Sequence, residues 1–485
     1  MKLGLEHHYA ALPAAFHTAA TPATVPAPRL LAWNAALATE LGLDAAALEP
    51  VAAELFSGRQ LPEDAQPIAM AYAGHQFGHF QPALGDGRAL LLGELRNRAG
   101  ELRDLQLKGS GRTVWSRSGD GLAAVGPMLR EFLISEAMQA FGIPTTRSLA
   151  VVATGALVRR DGMLPGAVLA RVAASHIRVG TFEYFAARDD QASLQQLLDF
   201  TIARHYPQLS GHADAALELL RAVTARQAEL VAAWTGVGFI HGVMNTDNVA
   251  LSGETIDYGP CAFMDQYDPA TVFSSIDQRG RYSFGNQGAI MQWNLTRLAE
   301  CLLSLMPGET EANVARATVI LNDFVSQFEA ALLRRMRARL GLATEQAGDA
   351  TLVTDLLQLL RDARADYTLT FRQLADAIET GSVATLASMP DGAAAWLSRW
   401  RARLGSEPLA AAARRDAMRL VNPAFIPRNH RVEAALDAAS TRGDMAPFNA
   451  LLRLLQDPYR DHPGAEEFML PPADHERVLA TFCGT

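Results

Sequence analysis

The stretch FIHGVMNTDNVALSGETIDYG, residues 239–259, sets Asn248 and Asp257 at the ends of two short apolar runs. Both side chains are hard oxygen donors, and with phosphates and waters such a pair completes the octahedral shell that Mg²⁺ demands. The run VALSGETI between them reads as a hairpin: a strand, a turn at Ser252-Gly253, and a second strand ending in Asp257-Tyr258-Gly259. An Asn followed by an Asp is common in any chain. The weight therefore rests on their neighbours, with His241 seven residues before Asn248 and Tyr-Gly directly after Asp257.

That layout matches a protein-kinase catalytic core, in which H-R-D-L-x-x-x-N precedes D-F-G. There the first Asp handles the substrate hydroxyl, while the Asn and the second Asp hold magnesium. His241 and Asn248 keep the spacing, but Val243 stands where the catalytic Asp belongs. The available carboxylate is Asp247, directly before the metal-type Asn.

Bulk properties set the frame. A chain of 485 residues, 49% hydrophobic and 20% charged, has the make-up of a globular protein and the length for several domains. The net charge of −9 argues against nucleic-acid binding through overall charge, without excluding a local basic pocket. The three cysteines, Cys261, Cys301 and Cys483, form no C-x-x-C pair, which removes zinc-ribbon and thioredoxin-type chemistry. The opening MKLGLEHHYAALPAAF lacks the apolar core of a secretory signal, and no apolar run is long enough for a bilayer. The expectation is a cytoplasmic protein of bacterial type, free of membrane and nucleic acid.

Along the chain, residues 1–64 combine a Pro-rich connector with a helical pattern, LLAWNAALATELGLD, closing at Gly42. Residues 65–185 are strand-rich, with RALLLGEL, DLQLK, SLAVVAT and AVLARVA around one amphipathic helix, from about Pro127 to Phe141. Helical periodicity dominates 186–340, interrupted by loops at 236–285, and 341–485 reads as further helices with polar connections. The fold expected is α+β and two-lobed, protein-kinase-like: a β-rich N-lobe, a helical C-lobe, and N-terminal and mostly helical C-terminal extensions.

The upstream pieces fall in a matching order. Lys108 ends the strand DLQLK and Glu131 lies early in the helix PMLREFLISEAM, the order in which kinases pair a phosphate-binding Lys with a helix Glu. LGDGRALL sets Gly85 and Gly87 around Asp86 before Arg88, and GSGRTVWSRSGDG ends in Gly119-Asp120-Gly121. Exposed glycine amides make anion nests, although D-G more often marks a hairpin turn, and neither segment fits a G-x-G-x-x-G or Walker pattern. Arg171 and Arg178 in ARVAASHIRVG add two fork-shaped cations suited to phosphate. In GHQFGHF, His75 and His79 have the spacing of a zincin helix. Gln76 replaces the catalytic Glu and Gly78 weakens any helix, so structural roles are expected for both histidines.

Together these blocks resemble the selenoprotein O family of the kinase-like superfamily. The resemblance runs through YAGHQFGHFQPALGDGRALLLGEL, LKGSGRTVWSRSGDGLAAVGPMLREFLISEAM, RVAASHIRVGTFEYFA, HGVMNTDNVALSGETIDYGPCAFMDQYDP and NPAFIPRNHRVEAAL, nearly the whole chain. It implies a protein adenylyltransferase that moves AMP from ATP to Ser, Thr or Tyr hydroxyls of protein substrates, redox-related proteins among them, and releases pyrophosphate. It implies ATP bound inverted relative to kinases, contacted by Gly85, Gly87, Arg88, Lys108, Asp120, Gly121, Arg171, Arg178 and Asp257. On the same footing Asn248 and Asp257 bind Mg²⁺ or Mn²⁺, Asp247 accepts the proton and Glu131 orients Lys108. Some members carry selenocysteine near the C-terminus and many bacterial ones carry Cys. Cys483 in FCGT matches, which leaves a redox role open with no partner assigned between Cys261 and Cys301. Two other readings stand beside this one: a phosphotransferase using Asp247 as base, and a non-catalytic ATP-binding scaffold.

Overall fold

The computed structural model describes residues 1–160, 162–387 and 392–482. Cys483 lies outside the described residues.

Nine strands lie among the described residues up to Ala173, with helices between them: β1 (His17–Ala19), β2 (Arg29–Trp33), β3 (Ile68–Met70), β4 (Gly74–Gln76), β5 (His79–Gln81), β6 (Ala89–Arg96), β7 (Leu102–Lys108), β8 (Arg147–Arg159) and β9 (Met163–Ala173). Seven of them build one sheet in the order β1-β3-β6-β7-β9-β8-β2, antiparallel at every pairing. The four strand-like runs read from the sequence lie in β6 to β9. In β6, β8 and β9 the near-continuous apolar character follows from burial on both faces, whereas β7 alternates Leu105 and Leu107 with Asp104, Gln106 and Lys108. The helix Val125–Ala140 packs across β8 and β9 on one face, while Leu37, Leu41, Leu48 and Phe56 cover Leu92, Leu105, Val152 and Val172 on the other.

Two local readings differ from the structure. The segment LLAW belongs to β2, paired with β8, and the helix is only Ala35–Glu40, opened by Asn34, whose Oδ1 accepts the Leu37 N–H. A helical period and a short buried strand are hard to separate in so short an apolar run. In VALSGETI the turn is present, with Gly253 N–H donating to Ala250 O at 3.1 Å. Its flanks, however, bridge outward, Ala250 to Arg178 and Thr255 to Thr145. The backbone groups find partners on neighbouring elements instead of on each other.

Below the sheet lie the helices Gln191–His205, Ala215–Val237, Gln287–Leu302 and Thr310–Arg339, with β10 (Phe239–Ile240) paired to β11 (Ala262–Phe263) beneath the loop that carries Asn248. The C-terminal helices Asn429–Arg442 and Ala446–Leu455 fold back onto Val125–Ala140, and Phe132 meets Phe448 with ring centroids 6.1 Å apart. One apolar core therefore runs from that helix through the central helices to residue 465, and a second gathers Trp396, Trp400 and Phe371. Buried Arg428, from the NPAFIPRNH block, ties this return together by donating to Asp265 at 2.6 Å and Asp366 at 2.7 Å. Among the described residues no helix is long and apolar enough to cross a membrane.

At the base of the sheet Glu254 accepts the Ala174 N–H at 2.8 Å, and burial pushes its carboxyl up to about 7. The folded chain thus holds a proton that the unfolded chain releases near pH 4.5. The stability tied to that proton is whole below pH 4.5 and is lost as pH rises through about 7. Glu254→Gln should therefore gain stability relative to wild type over that interval, by about 3 kcal/mol at most. Melting curves from pH 5 to 8 check this; a difference in Tm that stays flat with pH contradicts it.

Candidate active site

A cavity of about 800 Å³ opens between the sheet and the loop of residues 243–257. Gly85, Gly87, Arg88, Lys108, Asp120, Gly121, Arg171, Arg178, Asp247, Asn248 and Asp257 all line it. Residues separated by up to 172 positions along the chain thus share one wall. Glu131 stands behind Lys108.

Strand register explains the cationic side. Lys108 ends β7, where Gln106 faces Arg171 of β9, so the period of two sends Gln106, Lys108 and Arg171 to one face. Glu131, 2% exposed, reaches that face from the helix. Lys108 Nζ donates to Glu131 Oε2 at 2.5 Å and also contacts Asp257. Arg171 donates to Glu131 Oε1 at 3.1 Å and to Gln106 Oε1 at 2.6 Å. Arg178 donates to the Asp247 carbonyl at 3.0 Å, lies 4.5 Å from the Tyr72 ring centroid and approaches Asp86 at 3.8 Å. Buried Arg88 Nη1, Arg171 Nε and Arg178 Nε have no hydrogen-bond partner. Donors left unsatisfied around a cavity suit an anionic ligand.

The opposite side carries oxygen donors. Asn248 closes one turn of 3₁₀ helix, Thr246–Asn248, and its Nδ2 donates to Val243 O at 3.0 Å. Asp257 holds a left-handed backbone at φ +70°, a conformation that Asp tolerates better than most residues. Buried His241 backs this turn, with Nε2 2.9 Å from Ile256 O. Burial opposes ionisation of Asp257, but Lys108, Arg88 and Arg171 outweigh it and hold its carboxyl well below the usual range. Asp247 differs: burial, offset in part by Arg178, pushes it up to about 7, and its Oδ1 is buried without a hydrogen-bond partner. One carboxylate is held in its charged form, while burial drives the other toward its neutral form.

Asn248 and Asp257 suit a hard divalent cation whose remaining ligands are phosphate and water. No group of three or more His, Cys, Asp or Glu that could hold a metal occurs among the described residues. His75 and His79 sit on opposite strands of the β4–β5 hairpin, so the zincin geometry is absent. Cys261 and Cys301 are buried and free among the described residues.

Several site residues escaped the sequence reading. Asp86 accepts the Met70 N–H at 3.2 Å and the Gln106 Nε2 donation at 3.2 Å, beneath Arg178. Its place between Gly85 and Gly87 was the available signal. Arg160 grips Asp120 at 2.9 Å at the cavity mouth, a contact across 40 residues without a local signature.

An open cavity lined by Lys108 and by arginines that keep unsatisfied N–H groups, and faced by hard oxygen donors, is the kind of site an enzyme uses on a polyphosphate. The comparisons give that class its family. The model of the protein adenylyltransferase SelO family matches residues 1–456. A protein nucleotidyltransferase YdiU of Rhodopseudomonas palustris (strain BisB18) is 56% identical over 484 residues, 99% of each chain. Proteins of the same name from Rhizobium leguminosarum bv. trifolii and Bradyrhizobium sp. (strain ORS 278) are each 56% identical, covering 99% of this chain and 97% and 99% of their own. The chain belongs to the SelO family of protein adenylyltransferases.

Proposed function

We propose that this enzyme transfers AMP from ATP to Ser, Thr or Tyr hydroxyls of protein substrates, with Asp247 as the proton acceptor. It is a protein nucleotidyltransferase of the SelO family. The observation that carries the role of Asp247 is its environment: a buried carboxylate with an unpartnered Oδ1, lining the cavity beside Asn248, while Val243 leaves the kinase base position apolar. In this reading the antiparallel sheet and the helices below it are the lobes of a kinase-like fold. Residues 65–185 form the N-lobe, 186–340 the C-lobe, and 1–64 and 341–485 the extensions.

The acceptor hydroxyl gives its proton to Asp247 as its oxygen attacks the α-phosphorus. The bond from that phosphorus to the bridging oxygen of the β-phosphate breaks, and pyrophosphate leaves with the electron pair. Lys108, Arg88, Arg171 and Arg178 meet the charge that grows on the leaving group, and because they are fixed before reaction, little reorganisation opposes the step. Glu131 orients Lys108 through their 2.5 Å contact. ATP lies inverted relative to kinases, with Gly85, Gly87, Asp120 and Gly121 along its path. Asn248 and Asp257 would hold Mg²⁺ or Mn²⁺, which when bound neutralises phosphate charge. A cytoplasmic setting and acceptors among redox-related proteins complete the proposal, with Cys483 as its thiol.

The test is label transfer from ATP marked at either the α- or the γ-phosphate. Protein-bound label from α alone supports adenylylation. Label from γ alone means phosphotransfer with Asp247 as base, and ATP binding without transfer means a scaffold.

Close backbone approach around Asp247 adds a second test. A Cβ at Gly180 would stand 2.1 Å from Ala73 O and 3.4 Å from Asp247 Cα. Gly180→Ala must therefore part the Ala73 N–H to Gly180 O bond of 2.9 Å. Overpacking of this kind costs about 1–3 kcal/mol, and a shift at Asp247 should lower kcat at least about tenfold. Gly126→Ala is the control, since its Cβ meets only Ser440 Oγ at 3.4 Å. Melting curves and α-label transfer compare the two; equal activity of both variants contradicts the expectation.

A further inference from the structure

The GHQFGHF hairpin is not consumed by nucleotide chemistry, yet it is fastened to the loop that carries Asp247. His75 N–H donates to Thr246 Oγ1 at 2.7 Å, and Phe77 N–H donates to Asn245 Oδ1 at 3.0 Å. Asn245 Oδ1 also accepts from Tyr282 at 2.6 Å. On the far side stands Glu183, on the helix Val179–Ala186, with a side chain 4% exposed. One carboxyl oxygen lies 2.5 Å from His75 Nδ1, and the other accepts the Thr246 hydroxyl at 2.5 Å.

Burial pushes Glu183 up to about 7, and burial with Arg297 holds His75 below its ordinary value, so the surroundings favour the neutral form of each group at this contact. Glu183 does not line the nucleotide cavity. Asp247 Oδ1 has no hydrogen bond of its own, so the aim of that side chain depends on how its backbone is held. Arg178 grips the Asp247 carbonyl from one side, and Glu183 anchors the preceding residue, Thr246, from the other. A Cβ at Gly74 would stand 2.7 Å from Asp247 Oδ1, so hairpin and carboxylate are already in close contact.

We infer that Glu183 is a positioning residue for AMP transfer: by bridging His75 and Thr246 it fixes the loop that presents Asp247 to the acceptor hydroxyl. The inference rests on the assignment of Asp247 as proton acceptor. It gives the histidine of the GHQFG motif a role in holding the base and none in metal binding.

The experiment measures α-label transfer and ATP affinity for wild type, Asp247→Asn, Glu183→Ala, Glu183→Gln, Thr246→Val and the double variant Glu183→Ala/Thr246→Val. Rates are expressed per ATP-binding site, which removes any unfolded fraction. Glu183→Ala and Thr246→Val should each lower kcat on the order of 100-fold, with KM and affinity for ATP unchanged. Glu183→Gln keeps an acceptor for Thr246 and should recover most of the rate. The double variant should lose far less than the product of the two single losses, because both changes break the same Thr246–Glu183 hydrogen bond. Wild-type kcat in Thr246→Val or Glu183→Ala overturns the proposal, as does a loss confined to the number of ATP-binding sites. Failure of the underlying reading is separate: wild type then transfers no α-label, or Asp247→Asn transfers as well as wild type.

Discussion

Asp247→Asn should lower α-label transfer on the order of 10³-fold, the range a positioned general base supplies, while ATP binding holds. The exchange keeps the shape of a side chain that lines the cavity and removes its capacity to take a proton. Arg178, which donates to the Asp247 carbonyl at 3.0 Å, keeps that contact because the backbone oxygen is untouched. Removing a negative charge beside a phosphate site also favours ATP, so any change in affinity should be toward tighter binding. Calorimetric titration with ATP and label transfer with a fixed acceptor separate the two effects. Transfer at the wild-type rate by Asp247→Asn would remove the residue from the chemistry and reopen the search for the base.

Asp257→Asn should abolish the response to divalent metal and cut transfer by at least about 10³-fold, since electrostatic stabilisation is the main resource of phosphoryl-type transfer. Asp257 is surrounded by Lys108, Arg88 and Arg171, which hold it ionised. Its loss has two opposite consequences. On the proposed assignment a bound metal would lose its carboxylate ligand and keep only Asn248, too little to compete with water. The cations lose an internal counter-ion, so metal-free ATP should bind as well as before or better. The signature is a crossing: Mg²⁺ or Mn²⁺ alters ATP affinity in wild type and leaves Asp257→Asn unmoved. A variant with the wild-type metal response would contradict Asp257 as a ligand.

Much of this site was legible in the chain because its chemistry is local. Asn248 and Asp257 sit within one short stretch whose spacing identifies the loop, and Lys108 ends a strand whose apolar alternation is plain. What escaped was set by distant contacts. The LLAW segment carries an apolar pattern compatible with a helix and becomes a strand because β8 offers it an edge. Glu183 reads as an unremarkable acid in RVGTFEYFA, and its bridge to His75 and Thr246 spans 108 and 63 residues. Local propensity carries no information about such partners.

The sequence by itself determined the family, the kinds of atoms available to phosphate and metal, and the presence of a carboxylate at position 247 where position 243 is Val. These follow from residue identity and short spacing, which folding does not alter. Only the tertiary structure decided which of those atoms are free to act. Lys108 meets Asp257 across 149 residues, Arg171 spends part of its charge on Glu131, and Asp247 alone among the carboxylates lining the cavity keeps a buried oxygen unpartnered among the described residues. Burial and pairing depend on the whole fold, and they separate two aspartates of identical chemistry: Asp257 is held ionised, while Asp247 is pushed up to about 7.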